Sequence, residues 1–359
     1  MIPISVCIIT KNEENRIRKC LAPLAPYPFE IVVVDTGSTD KTVEIVSEYT
    51  DHIYHFDWIS DFAAARNFSI AKASYDWILV LDSDEYLTEL DLEQLYRLAE
   101  QNPEGVGRLE RSSLDIAGTL LIDRVERFFN RNVYHYERPI HEQVLPIHPG
   151  KTAYYDYPIP LKVDHEGYVG SQEYMHEKAK RYLAILLQSE KDFPDSYTYF
   201  QIGQSYYIME DWENARKYFE KGLNFDLAPS SEFVQLMVVH YGYSLLHLGE
   251  NESTITFLEQ LAPCFQDYAD FVFLQGYAHF QSKNYIKAVL YFIQALQAPH
   301  FHIQGTNSYM ACYYIGVIYN LMGDLKMART FFEKCGDFEK ARICLKELDE
   351  LEQKTQRAT

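Results

Sequence analysis

Short, unbroken apolar runs open the chain and alternate with amphipathic segments. Ile4-Ser5-Val6-Cys7-Ile8-Ile9-Thr10, Ile31-Val32-Val33-Val34 and Trp77-Ile78-Leu79-Val80-Leu81 are rich in β-branched residues and too short for helices of their own. They read as strands buried on both faces. His52-Ile53-Tyr54-His55-Phe56 is a further short strand. Between these runs Ile17, Cys20, Leu21 and Leu24 fall near helical spacing until Pro23–Pro28 stops them. Residues 41 to 49, with Thr39 or Asp40 as cap, and the Ala-rich 62 to 73 give the next helices. Strand alternating with helix predicts a parallel α/β sheet. Farther on, Gly107-Arg108-Leu109-Glu110 and Val125-Glu126-Arg127-Phe128-Phe129 predict further strands, and residues 146 to 160 read as turn-rich.

Beyond residue 170 the pattern changes to helices throughout. An amphipathic helix over 172–192 ends at Pro194, and a repeat follows. Gly203, Gly242, Gly276 and Gly316 are each followed at a fixed offset by Ala215, Thr254, Ala288 and Ala328, then by Phe219, Leu258, Phe292 and Phe332. Small residues at the first two positions let paired helices approach, and the large one fills the space between neighbours. This resembles the tetratricopeptide pattern of stacked antiparallel helix pairs. Two of the intervals exceed the usual period of about 34 residues, so two inter-repeat turns carry insertions. Thr254 departs from the small-residue rule. Residues 337 to 354 read as a capping helix. The expected division is therefore 1–170 and 171–359, with about four repeats in the second part. Tyrosines such as Tyr206, Tyr241, Tyr277 and Tyr314 line a ligand face or, more commonly at such spacings, belong to the core.

The chemistry gathers where the buried strands end. The run at 77–81 stops in Asp82-Ser83-Asp84-Glu85, three carboxylates delivered to a strand's carboxyl end, where ligands of open α/β sheets bind. Their mutual repulsion is tolerable if a hard divalent cation sits among them. The bland alternative is a solvated acidic turn that caps a helix. Neither G-x-G-x-x-G nor G-x-x-x-x-G-K-[ST] follows the first strand, so the common dinucleotide and P-loop sites are excluded. That strand ends instead in Thr10-Lys11-Asn12-Glu13, able to hydrogen-bond a base or ribose. The second ends in Asp35, an acceptor suited to a ribose hydroxyl or a uracil N–H.

S-V-C-I-I-T-K-N-E-E, I-V-V-V-D-T-G-S-T-D, A-R-N and L-V-L-D-S-D-E, in that order, resemble the successive motifs of family-2 glycosyltransferases of the GT-A fold. The resemblance is strong over residues 4 to 90 and weaker over 104 to 170. It implies a nucleotide-sugar donor, usually a UDP-hexose, and transfer with inversion. Thr10, Asn12, Glu13 and Asp35 would hold the nucleotide, and Arg66 would lie against the base or diphosphate. Asp82 would reach the ribose or metal, and Asp84 would ligate a Mn²⁺ or Mg²⁺ ion bridging the diphosphate, with His165 completing the metal site. The stretch Tyr136-Glu137-Arg138-Pro139-Ile140-His141-Glu142-Gln143 packs acid, base and imidazole together. Glu142 is the expected base for the acceptor, with His141 its neighbour or a metal ligand. Each histidine has a plainer reading as a surface or helix-capping residue.

A formal charge of −19 with no basic cluster argues against nucleic acid. Scattered cysteines suggest neither a zinc site nor a disulfide framework, and no apolar stretch reaches membrane-spanning length, which gives a cytoplasmic expectation. A sugar-nucleotide domain joined to tetratricopeptide repeats is similar to bacterial enzymes that glucosylate peptides and proteins. It is also similar to enzymes of surface-polysaccharide and lipopolysaccharide-core assembly. On this reading the repeats bind the acceptor or pair two subunits. The competing reading is a non-catalytic scaffold built on the repeats.

Overall fold

A computed structural model describes residues 2–114, 120–150, 152–166 and 172–358, and the side chains of 114, 120, 121, 172 and 353–358 are left aside. The expected domain seam at 170/171 lies outside the described residues. By contact the chain divides into two compact units, Met1–Ser189 and Glu190–Thr359.

Among the described residues the first unit is built on ten strands: β1 Ile4–Thr10, β2 Glu30–Asp35, β3 Ile53–His55, β4 Trp77–Asp82, β5 Glu85–Leu90, β6 Val106–Leu114, β7 Leu120–Asn130, β8 Tyr134–Glu137, β9 Gln143–Pro146 and β10 Asp156–His165. Its helices are α1 Ile17–Leu21, α2 Thr42–Val46, α3 Phe62–Lys72, α4 Leu92–Gln101 and α5 Gln172–Ser189. Eight strands form one sheet in the order β3-β2-β1-β4-β7-β6-β10-β5, and β8 and β9 form a separate hairpin. The half from β3 to β4 is parallel, as its two-sided apolar runs require. Cys7, Val32, Ile78 and Val80 are buried on one face, and Val6, Ile8, Val33, Leu79 and Leu81 on the other.

The other half is mixed. β7 runs antiparallel to both β4 and β6, and β10 pairs parallel to β6 and antiparallel to β5. The acidic turn after β4 does not cap a helix: it reverses directly into β5. The turn-rich stretch 146–160 also differs from expectation, because β10 begins at Asp156 inside it. Pro158 and Pro160 obscured that strand, and they are tolerated because the pairing with β6 shifts register between Pro158 and Lys162. Helix α2 is shorter than expected and has Lys41, not Thr39 or Asp40, at its cap position. Asp40 still accepts hydrogen bonds from the Thr42 amide and hydroxyl.

The second unit consists of helices α6 Ser196–Ile208, α7 Trp212–Leu223, α8 Glu232–His247, α9 Asn251–Phe265, α10 Ala269–Gln281, α11 Tyr285–Ala295, α12 Tyr309–Leu321, α13 Leu325–Glu333 and α14 Glu339–Ala358. Among the described residues these make four pairs and a last helix. A Cβ on Gly203 would lie 2.5 Å from the Phe219 ring; for Gly276 and Phe292 the distance is 2.8 Å, and for Gly316 and Phe332 it is 2.7 Å. The glycine is thus required by the ring of its own repeat. The second repeat is the exception: Gly242 abuts Leu274 of the next pair, and Leu258 is more distant. Thr254 is buried with its hydroxyl donating to the Glu250 carbonyl at 2.9 Å, which satisfies the extra polar atom within the helix.

The two long intervals fall at the α7–α8 and α11–α12 connections. Buried Asp270 on α10 organises the second of these. It accepts from the amides of His302 and Ile303 and from the Thr306 hydroxyl. The tyrosines are half-buried. Tyr243, Tyr277 and Tyr314 pack against the main core cluster, with ring centroids 6.0 Å and 5.3 Å apart along that series.

Candidate active site

Strand register brings the first candidates together. Thr10 pairs with Asp35 and Ile9 with Asp82, so Asp35, Thr10 and Asp82 end adjacent strands β2, β1 and β4 at one carboxyl edge. The loop after β1 and the loop after β2 tie each other. The Asn12 amide donates to Ser38 Oγ, Asn12 Oδ1 accepts from the Thr39 amide at 2.8 Å, and the Glu13 amide donates to Thr42 Oγ1 at 2.7 Å. Asn12 holds a positive φ of 55°, which asparagine tolerates better than most residues. The Asp35 carboxylate accepts from the Gly37 and Ser38 amides. Glu13 is engaged by Arg16 at 3.2 Å, and burial raises its pKa. Thr10 Oγ1 is buried with no hydrogen-bond partner.

Helix α3 is capped by Asp61, whose side chain accepts from the Ala64 amide. Asn67 locks the helix to β8 by exchanging hydrogen bonds with the backbone of Tyr136. The next residue back, Arg66, is thereby aimed at Asp82. Its Nη2 donates to Asp82 Oδ1 at 2.7 Å and its Nε to Glu142 Oε1 at 2.6 Å. The other oxygen of Asp82 accepts from Arg127 Nη2 on β7 at 2.6 Å. Arg127 continues to the fully buried Glu85 at 3.2 Å, and Arg111 on β6 lies between Glu85 and Asp123. Charges therefore alternate along Glu142, Arg66, Asp82, Arg127, Glu85, Arg111 and Asp123.

This alters the expected relief of repulsion in the acidic turn. Burial alone would raise the Asp82 pKa, but the charges of Arg127 and Arg66 outweigh it and hold the group well below the usual carboxylate range. Asp82 and Glu85 are each compensated by arginines. Asp84 is set apart, its Oδ2 3.4 Å from His165 Nε2. The antiparallel pairing of β10 with β5 places His165 opposite Glu85, and the Glu166 amide donates to the Asp84 carbonyl. Among the described residues no three His, Cys, Asp or Glu side chains converge as a metal cluster. Asp84 and His165 are each partly exposed, and they offer one carboxylate and one imidazole. That donor set suits an ion whose remaining positions are filled by water and phosphate oxygens.

Glu142 and His141 sit side by side in the loop after β8. His141 has a positive φ of 52°, and its ring meets Tyr182 of α5 edge-on at 5.8 Å. Burial drives its pKa down to about 4, so the imidazole is neutral near pH 7. Sequence reasoning missed Arg127, Arg111 and the contribution of α5. The arginines lie in strands whose pairing no local pattern shows, and α5 shares the helical character of the repeats.

The parallel half of the sheet thus ends in Thr10, Asp35 and Asp82, with Asp84 and His165 near the end of β4. Residues 5–149 match the Glycosyl transferase family 2 model, and residues 196–228 and 311–335 match the Tetratricopeptide repeat. The chain thus carries a family-2 glycosyltransferase domain at its N-terminal side and tetratricopeptide repeats C-terminal to it. It is 33% identical over 233 residues to a TPR repeat-containing protein of Synechococcus elongatus, covering 62% of this chain and 57% of the relative. It is 28% identical over 237 residues to the SPbeta prophage-derived glycosyltransferase SunS of Bacillus subtilis, covering 62% and 54% respectively. A shorter match, 34% over 110 residues, covers 30% of this chain and 40% of the lipopolysaccharide core biosynthesis glycosyltransferase LpsC of Rhizobium meliloti. The chain spans little more than half the length of the first two relatives. No helix among the described residues is long and apolar enough to cross a membrane.

Proposed function

We propose that this protein is a metal-dependent, inverting glycosyltransferase. It moves a hexose from a nucleotide sugar, UDP-glucose or a related UDP-hexose, to a side chain of a peptide or protein. The observation that carries this reading is the Asp84–His165 pair, 3.4 Å apart and partly exposed, beyond the carboxyl edge that also bears Thr10 and Asp35. Asp35 and the loop of Asn12 and Glu13 would take the nucleoside. Buried polar atoms are normally paired, so Thr10 Oγ1 and Arg66 Nη1, which are not, suit a ligand that supplies the missing hydrogen bonds. A Mn²⁺ or Mg²⁺ ion held by Asp84 and His165 would supply positive charge for the diphosphate. Asp82, with both oxygens taken by arginines, fixes the geometry around it.

Glu142 is the base of this mechanism. Arg66 occupies its Oε1, which leaves Oε2 to receive the acceptor's proton as oxygen or sulfur attacks the anomeric carbon. The bond to the diphosphate oxygen breaks as the new one forms on the opposite face, inverting the centre. His141, neutral and half-buried beside it, orients the acceptor.

The repeats, from Ser196 onward, would hold the acceptor or pair two copies of the chain, and a cytoplasmic setting belongs to the same proposal. A glycan acceptor in lipopolysaccharide-core assembly is the second reading, favoured by the match to LpsC. Incubation with UDP-glucose and Mn²⁺, followed by measurement of released UDP and a mass-spectrometric screen of UDP-, GDP- and TDP-sugars, tests the proposal. A folded chain that releases no nucleotide from any of them would leave the scaffold reading in its place.

A further inference from the structure

The diphosphate of a departing nucleotide needs positive charge beside it, and three arginines of this site are already committed. Arg66 is held between Asp82 and Glu142, and Arg127 between Asp82 and Glu85. On the same side Lys19 pairs with Glu166 and Arg111 with Asp123. Helix α5, within the first unit, brings in a cation of another kind. Lys178 is half-buried and makes no hydrogen bond or ion pair among the described residues. Its ammonium lies 5.6 Å from the centre of the Tyr182 ring, which itself packs on His141. It is also within electrostatic reach of the Asp84 carboxylate and of the His141 ring.

Partial burial disfavours a charged ammonium unless an anion compensates it, and the lysine is correspondingly lowered from its usual pKa by desolvation. Asp84, 3.4 Å from His165, is the residue assigned above to the metal. Were it to hold a cation it would no longer compensate Lys178, and a phosphate oxygen would be left to match the ammonium. We propose that Lys178 is a diphosphate-binding residue, contributed by α5 and acting from the side of the cleft that carries Asp84 and His141. This rests on the nucleotide-sugar reading and adds the ligand for its leaving group. Helix α5 would then be a wall of the site and not the first helix of the repeat array.

The full-length chain with Mn²⁺ is titrated calorimetrically with UDP and, separately, with uridine, which lacks phosphates. Lys178→Gln is expected to weaken UDP about tenfold while uridine stays within about twofold, because a charge-assisted contact to phosphate is removed and the nucleoside contacts are not. Lys178→Arg is expected to recover most of the loss. Equal UDP affinity in wild type and Lys178→Gln overturns the assignment and leaves the donor reading intact. A parallel loss of UDP and uridine, not recovered by Lys178→Arg, also overturns it, since the lysine would then serve only to pack α5. A wild-type chain that binds none of UDP, GDP or TDP defeats the nucleotide-sugar reading itself, and the role of Lys178 with it.

Discussion

Asp84 Oδ2 lies 3.4 Å from His165 Nε2, although one residue follows β4 and the other ends β10. The pairing of β10 with β5 makes them neighbours. Asp84→Ala is expected to abolish the Mn²⁺-dependent part of UDP binding and the release of UDP from a UDP-hexose. Melting of the tetratricopeptide unit should be unaffected. Calorimetry with and without Mn²⁺ decides it: an unchanged UDP affinity in the mutant would remove Asp84 from the metal site.

Arg127 is expected to matter to folding as much as to chemistry. Arg127→Met leaves Asp82 with one arginine and deprives the fully buried Glu85 of its 3.2 Å partner. Breaking a buried ion pair from one side typically costs about 3–5 kcal/mol. The first unit of Arg127→Met should therefore unfold at clearly lower urea than wild type. Adding Glu85→Met should restore part of the loss, because the uncompensated charge goes with it. Additive effects of the two substitutions would show that the pair is not coupled.

Two histidines give each unit its own acid response. His141 in the first and His240 in the second are both lowered to about 4 by burial. His240 stacks on Tyr207 at 4.5 Å, with Nδ1 2.6 Å from Gln204 Oε1. An unfolded histidine titrates near 6.5. Below that pH the unfolded chain binds protons that the folded chain refuses, so stability is complete above about 6.5 and falls as pH drops toward 4. Melting curves between pH 7 and 4 should show the decline, and His240→Gln should flatten it for the repeat unit. An unaltered slope in that variant would mean that other groups carry the effect.

The repeat geometry is testable by steric substitution. An exposed helical glycine changed to alanine gains about 1 kcal/mol of helix propensity. At Gly203 the new Cβ would meet the Phe219 ring at 2.5 Å, and overpacking typically costs about 1–3 kcal/mol. Gly203→Ala should thus destabilise the second unit, and Phe219→Leu in the same chain should recover part of the loss. Gly242→Ala meets the tip of the flexible Leu274 side chain and should be milder. Equal effects at Gly203 and Gly242 would contradict the contact read here.

How much of the site was legible depended on the distance over which each residue acts. Asp82 and Asp84 could be located because a buried strand must end somewhere, and its last polar residues mark the place. The partner of Asp82 could not, since Arg127 lies in an antiparallel strand whose register is set by Phe128 and Phe129 opposite Leu79 and Ile78. Asn12 was expected to face the nucleotide, yet its side-chain oxygen closes the loop at Thr39. The β10 strand was hidden by prolines that only its irregular pairing excuses.

The sequence by itself determined the alternation of buried strands and helices, the order of the motifs at the strand ends, and the repeat in which glycine, small residue and phenylalanine recur. Each of these follows from local periodicity and side-chain size, which need no knowledge of distant partners. Tertiary structure alone decided that arginines neutralise Asp82 and Glu85, that Asp84 is left to His165, and that α5 packs within the first unit. Those are matters of charge brought together from remote strands, and a charge finds its partner only when the chain has folded around it.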